Sequence, residues 1–198
     1  MRIFLALAAA GLASAAIAYV PSPEDKLFAM TPGEFQLSAH SSDDSAAVVT
    51  IDTERGFNGR KGLMGAKPDD IYLRAIIDTA SGTVRYQAVQ SVNYRGGWRY
   101  FTDASFAGGG GPVTVIARDH ACFSAAPNGC LLSERVAFDI PEATLRTLAA
   151  SWRPRDRTVW PFRLKATANA DFEGSVAPAE AGGLLRAVDA WKAKRKRR

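Results

Sequence analysis

The chain has 198 residues and a formal net charge of +5 at pH 7. Beyond an apolar N-terminal run about 180 residues remain, enough for one domain with a sizeable core, and no later stretch is long enough to span a bilayer. The positive charge comes from the last seven residues, "KAKRKRR", whereas positions 19–191 hold 18 Lys and Arg against 20 Asp and Glu, which excludes a basic face on the fold itself.

In chain order, Arg2 precedes the uncharged run "IFLALAAAGLASAAIA" at 3–18, which ends in two small-residue sites, Ala13-Ser14-Ala15 and Ala16-Ile17-Ala18. This predicts a secretory signal peptide over 1–18 and a mature chain starting at Ala16 or Tyr19. Ala16 stands where a lipoprotein would carry its lipidated cysteine, so no lipid anchor is expected. The expected location is periplasmic or secreted, which removes nucleic acid as a partner. The tail is then either a solvated, disordered end or a weak contact with an anionic envelope surface. That contact would run through Lys192, Lys194, Arg195, Lys196, Arg197 and Arg198, and salt would screen it.

Residues 19–45, rich in Pro, Ser and Asp, are expected to be a mostly extended lead-in to a single β-rich domain over 46–191. "AVVTIDT" (47–53) reads as a strand by its β-branched content, and "ERGFNGRKGLMGAKPDD" (54–70) as a long loop. "IYLRAIIDT" places Ile71, Leu73, Ala75 and Ile77 on one face. "ASG" turns the chain, and "TVRYQAVQSVNY" continues with Val84, Tyr86 and Ala88 inward, the pattern of an antiparallel hairpin. Further strands are expected at "GGWRYFTDASF" (96–106), "VTVIARD", "RVAFDI" and "WPFRLKATA" (160–168), with "AGGGGP" as a turn. "PEATLRTLAASW" and "APAEAGGLLRAVDAW" repeat apolar residues at helical spacing: Leu145, Leu148, Ala149 and Trp152 in the first, and Ala181, Leu184, Leu185, Val188 and Trp191 in the second. Gly182 and Gly183 each weaken the second helix by about 1 kcal/mol against Ala, so its packing face must hold it. The expected class is α+β: a curled antiparallel sheet, sandwich- or barrel-like, of six to seven strands with two helices.

Both cysteines lie in "RDHACFSAAPNGCLLSE" (118–134). A zinc site from His120, Cys122 and Cys130 lacks the four ligands and tight Cys pairs of structural zinc. A thiol nucleophile needs an unpaired Cys, and a redox pair normally shows C-x-x-C. An exported chain with two cysteines flanking a Pro and an Asn-Gly turn points instead to a structural disulfide between Cys122 and Cys130.

Nothing else reads as catalytic, and no cofactor or metal motif is present. "GGGG" (108–111) runs through Pro112 into a strand, not into a helix N-terminus, so it does not cradle phosphate. The "RGFNGRKG" loop, with Arg55, Arg60 and Lys61, reads as a surface loop with anion binding as the alternative. G-x-S-x-G and H-E-x-x-H are absent. The aromatic residues Tyr94, Trp98, Tyr100 and Phe101 cluster at one hairpin, either as core or as an exposed stacking platform, and are the sole candidate binding site.

With these segments in place, the chain resembles a family of exported proteobacterial proteins without an assigned activity, some of them lipoprotein-like, over about residues 71–191. The resemblance rests on "DIYLRAIIDTASGTVRYQAVQSVNYRGGWRYFTDASF", "VTVIARDHACFSAAPNGCLLSERVAFDIPEATLR", "WPFRLKAT" and "APAEAGGLLRAVDA". It implies export and this order of segments, a Cys after an "xVIxRDV"-like strand, a second before a Glu-containing strand, and no catalytic residue. The functional expectation is an envelope-associated, non-enzymatic binding or structural domain. The rival is a hydrolase of envelope glycan or lipid, which would need a deep cleft with close ionisable side chains.

Overall fold

The computed structural model describes residues 23–42, 47–56, 69–122, 129–168 and 170–197. The expected signal peptide, most of the 54–70 loop, the "FSAAPN" bend and Arg198 lie outside them. The order is α1 (Pro23–Ala29), α2 (Pro32–Ser38), β1 (His40–Ser41), β2 (Val48–Asp52), β3 (Asp70–Asp78), β4 (Val84–Arg95), β5 (Phe101–Phe106) and β6 (Gly109–Pro112). Then follow β7 (Thr114–Ala121), β8 (Leu131–Ile140), α3 (Glu142–Ser151), β9 (Trp160–Ala166), β10 (Phe172–Val176) and α4 (Pro178–Arg195). The strands form two antiparallel sheets, β1-β2-β3-β4-β8-β7 and β10-β9-β5-β6. The class is α+β, as expected. A single curled sheet of six to seven strands with two helices is corrected to ten strands in two sheets with four helices among the described residues, and no barrel closes.

The β3–β4 hairpin follows the period-two pattern. Leu73, Ala75 and Ile77 are sealed from solvent on the inner face, beside Tyr86, Ala88 and Val92 of β4 and Val136, Phe138 and Ile140 of β8. Its turn is held by Asp78, whose Oδ1 accepts from Ser81 N–H at 2.7 Å, and by Gly82 at φ +71°. On the outer face three polar side chains in one register row form a chain: Arg74 Nη2 donates to Gln87 Oε1, and Gln87 Nε2 to Asp139 Oδ1, each at 2.7 Å.

The second sheet meets the first through aromatic rings: the Phe138 centroid of β8 lies 4.9 Å from Phe162 of β9 and 6.0 Å from Phe106 of β5. Gly174 lies opposite Phe162 in the register, where a Cβ would stand 2.4 Å from the ring, so glycine is required there. The expected "AGGGGP" turn is corrected: the turn is Ala107–Gly108, and Gly109–Pro112 pairs with β5 as β6. A Cβ on Gly110 would come 2.6 Å from the Ala104 carbonyl oxygen, a closeness that only glycine permits.

The extended lead-in is corrected as well, because it carries two short helices. Thr31 caps α2 in a capping box, its Oγ1 accepting from Glu34 N–H at 3.2 Å while Glu34 Oε2 accepts from Thr31 N–H at 2.7 Å. The helix drives Phe35 to full burial against α4. The two glycines that weaken α4 make this contact possible: a Cβ on Gly183 would fall 2.3 Å from Phe35 Cβ, and one on Gly182 3.1 Å from Pro32 Cβ. Ala181, Leu184 and Val188 are fully buried on the core side of α4, and Leu145 and Leu148 anchor α3. The expected disordered tail is corrected over Lys192–Arg195, which is helical, as positive side chains favour a helix C-terminus. No helix among the described residues is long and apolar enough to cross a membrane.

Candidate functional site

Along β8 the inward positions read Leu132, Glu134, Val136, Phe138 and Ile140, so one carboxylate stands in an apolar row. Its side chain is 0% exposed. Glu134 faces Val92 on one side and Arg118 of β7 on the other. It sits where residues 96–100 carry the chain from the first sheet to the second. Oε1 accepts from the Tyr94 hydroxyl, from Tyr100 N–H at 3.0 Å and from Arg99 N–H at 3.2 Å. Oε2 accepts from Arg118 Nε at 3.0 Å. Arg99 N–H also reaches the Tyr94 oxygen at 3.0 Å.

Burial alone would raise the Glu134 pKa. The hydrogen bonds donated by Tyr94, Arg118 and Tyr100 N–H outweigh burial and hold the carboxyl below its ordinary value. The Tyr94 phenol is pushed up to about 12, first by burial and then by its bond to the carboxylate, so it stays protonated and donates. Both oxygens of Glu134 are thus occupied by donors and shielded from water. A carboxylate so enclosed is not presented to a substrate. It fixes the position of its neighbours.

The neighbour most affected is Tyr100. Its φ of +52° lies in the left-handed region, which costs a non-glycine residue about 1–2 kcal/mol. The conformation is imposed from both sides: its N–H is held by Glu134, and its carbonyl accepts from Thr167 Oγ1 at 3.1 Å. The residue is left 45% exposed, with the Arg118 guanidinium 4.9 Å from its ring centroid. The Arg99 guanidinium lies 4.5 Å from the Tyr94 ring.

The four aromatic candidates therefore divide. Tyr94 and Phe101 belong to the core, 8% and 2% exposed, and Trp98 is half-buried against it. Only Tyr100 presents a large free surface. The strand expected over 96–106 starts only at Phe101, because Tyr100 turns the backbone, and a bulge then separates Phe101 from Asp103. Sequence reasoning missed Glu134, Arg118 and Arg99. A charged residue at an inward strand position was the legible signal for the first.

Cys122 and Cys130 form a disulfide with Cα atoms 4.2 Å apart, closing the β7–β8 hairpin. Both sulfurs are consumed, so the zinc and thiol-nucleophile readings fall; His120 lies exposed opposite Leu132. Two open grooves flank α3. The larger, about 550 Å³, includes Arg85, Tyr86, Phe106, Asp139 and Glu142 in its lining. Its carboxylates are already engaged, Asp139 by Gln87 and Glu142 by Arg146.

Fold and site together define an α+β domain of two antiparallel sheets in which the buried carboxylate of Glu134 accepts four hydrogen bonds, one of them from the backbone of an exposed tyrosine. No family model, curated protein or solved structure matches the chain.

Proposed function

We propose that this chain is an exported, envelope-associated domain, sandwich-like in build, that binds rather than catalyses. The observation that supports it is the role of Glu134, one of whose four hydrogen bonds holds the Tyr100 N–H while Tyr100 keeps a strained backbone conformation and an exposed side chain. Strain of this kind persists where the surroundings over-determine it, and it collects at binding and switch sites. Export rests on the signal-like residues 1–18 and on the disulfide. The basic residues at the end of α4 supply a second contact, with anionic surfaces, carried on a helix through Arg195.

Co-sedimentation with peptidoglycan sacculi and with vesicles of anionic phospholipid tests this. Sedimentation with sacculi is expected to depend on Tyr100 and to be lost in Tyr100→Gly. Sedimentation with vesicles at low salt is expected to depend on the tail and to be lost when Lys194–Arg198 are replaced by Gln. Absence of the wild-type protein from both pellets overturns the proposal. Release of sugar ends or fatty acids from either material favours the hydrolase.

A further inference from the structure

Arg118 is the residue at which the buried and exposed parts of this site meet. Only its Nε is used, on Glu134; its two terminal nitrogens carry no hydrogen bond to a described residue, and the side chain is 35% exposed. The guanidinium is stacked on Tyr100, which limits its rotation and leaves the remainder of the ring to solvent. Arg99 adds a second guanidinium, likewise without a hydrogen-bond partner among the described residues, placed over Tyr94. The carboxylate that pairs with Arg118 is fully buried, so the part of the Arg118 guanidinium that Glu134 does not use is left toward water. His120 lies on the same face of β7, two residues beyond Arg118.

A half-exposed aromatic ring beside a partly used guanidinium recognises two things at once. The ring takes the apolar face of a flat or cyclic ligand, and the fork takes a carboxylate or phosphate in bidentate fashion. We infer that the corner formed by Tyr100, Arg118 and Arg99 binds an anionic saccharide, a sugar ring bearing a carboxylate or a phosphate. This deepens the binding role proposed above and rests on it. An acidic peptide adding to the β7 edge is the competing occupant. The edge is poorly made for it, being broken by a bulge between Val115 and Ala117 and lined by Arg118, Asp119 and His120, features that blunt strand addition.

The test uses full-length mature protein and four soluble probes, glucuronate, glucose 6-phosphate, glucose and inorganic phosphate, with amide chemical shifts as the readout. Both anionic sugars are expected to shift the Tyr100 and Arg118 amides and to bind at least about tenfold more tightly than glucose or phosphate. Arg118→Lys keeps a positive charge on Glu134 but loses the fork, and should weaken anionic-sugar binding about tenfold or more. Tyr100→Gly relieves the left-handed strain and removes the ring, so it should fold and fail to bind. Equal binding of glucose and glucuronate overturns the anionic assignment, and equal binding of phosphate overturns the saccharide. A Glu-rich extended peptide that binds where the sugars do not replaces them as the occupant. If no soluble probe binds while sacculi still retain the wild type through Tyr100, the saccharide inference fails alone. If retention also fails, the binding role fails with it.

Discussion

The backbone N–H of Tyr100 donates to Oε1 of Glu134 at 3.0 Å, across 34 residues of sequence. This bond joins the crossing segment between the two sheets to the inner face of β8. Because Glu134 is buried and Tyr100 is not, it couples the stability of the core to the geometry of an exposed side chain.

Removing the charge of Glu134 should therefore be costly. Glu134→Gln removes the counter-ion of the partly exposed Arg118 and turns an amide N–H₂ toward donors, so a loss of about 1–3 kcal/mol is expected. Tyr94→Phe removes one hydrogen bond to the carboxylate and should cost about 1.5–3 kcal/mol. Urea unfolding of both variants measures this. A Glu134→Gln protein as stable as wild type would show that the cluster holds nothing in place.

The same cluster sets the pH dependence. Glu134 has its folded pKa below the unfolded value of about 4.3. Its contribution is therefore complete above that value and is lost as pH falls through the depressed folded pKa. Tyr94 and Tyr86 are both raised to about 12, by burial first, so their contribution is complete below about pH 10 and is lost as pH rises through 12. Unfolding free energy measured from pH 2 to 12 should show both limbs, and Glu134→Gln should flatten the acid one.

Gly183→Ala should destabilise, although alanine gains about 1 kcal/mol in helix propensity. Its Cβ would meet Phe35 Cβ at 2.3 Å, and forcing α2 away is expected to cost about 1–3 kcal/mol beyond that gain. Gly182→Ala, at 3.1 Å from Pro32, is the milder control. Thermal melts of the pair decide it: a higher Tm for Gly183→Ala would mean that the α2–α4 contact yields.

Reducing the Cys122–Cys130 bond should lower stability by about 2.5 kcal/mol through the entropy of the unfolded chain, with the far-ultraviolet circular dichroism unchanged. His120→Ala should change stability by less than about 0.5 kcal/mol, as the side chain is exposed. A collapse of secondary structure on reduction would assign the bond a larger role than a hairpin clip.

Several features were legible from local pattern. The β3–β4 hairpin followed from alternation, α3 and the core face of α4 from helical spacing, and the disulfide from two cysteines around a turn in a chain expected to be exported. Each of these depends on neighbours close in sequence, where side-chain period and turn chemistry act directly. The capping box at Thr31 and Glu34 was local too, and so was the isolated Glu134 in an apolar row; both were signals left unread. What only the tertiary structure decided depends on contacts between distant segments. That the strands divide into two sheets was settled by which faces could be buried against which, through Phe138, Phe162 and Phe106. That Gly182 and Gly183 serve a purpose required α2 to lie against them. That Tyr100 projects while Phe101 is buried came from one positive φ and one bulge, enforced by a carboxylate 34 residues away, because a backbone amide carries no sequence signature of its partner.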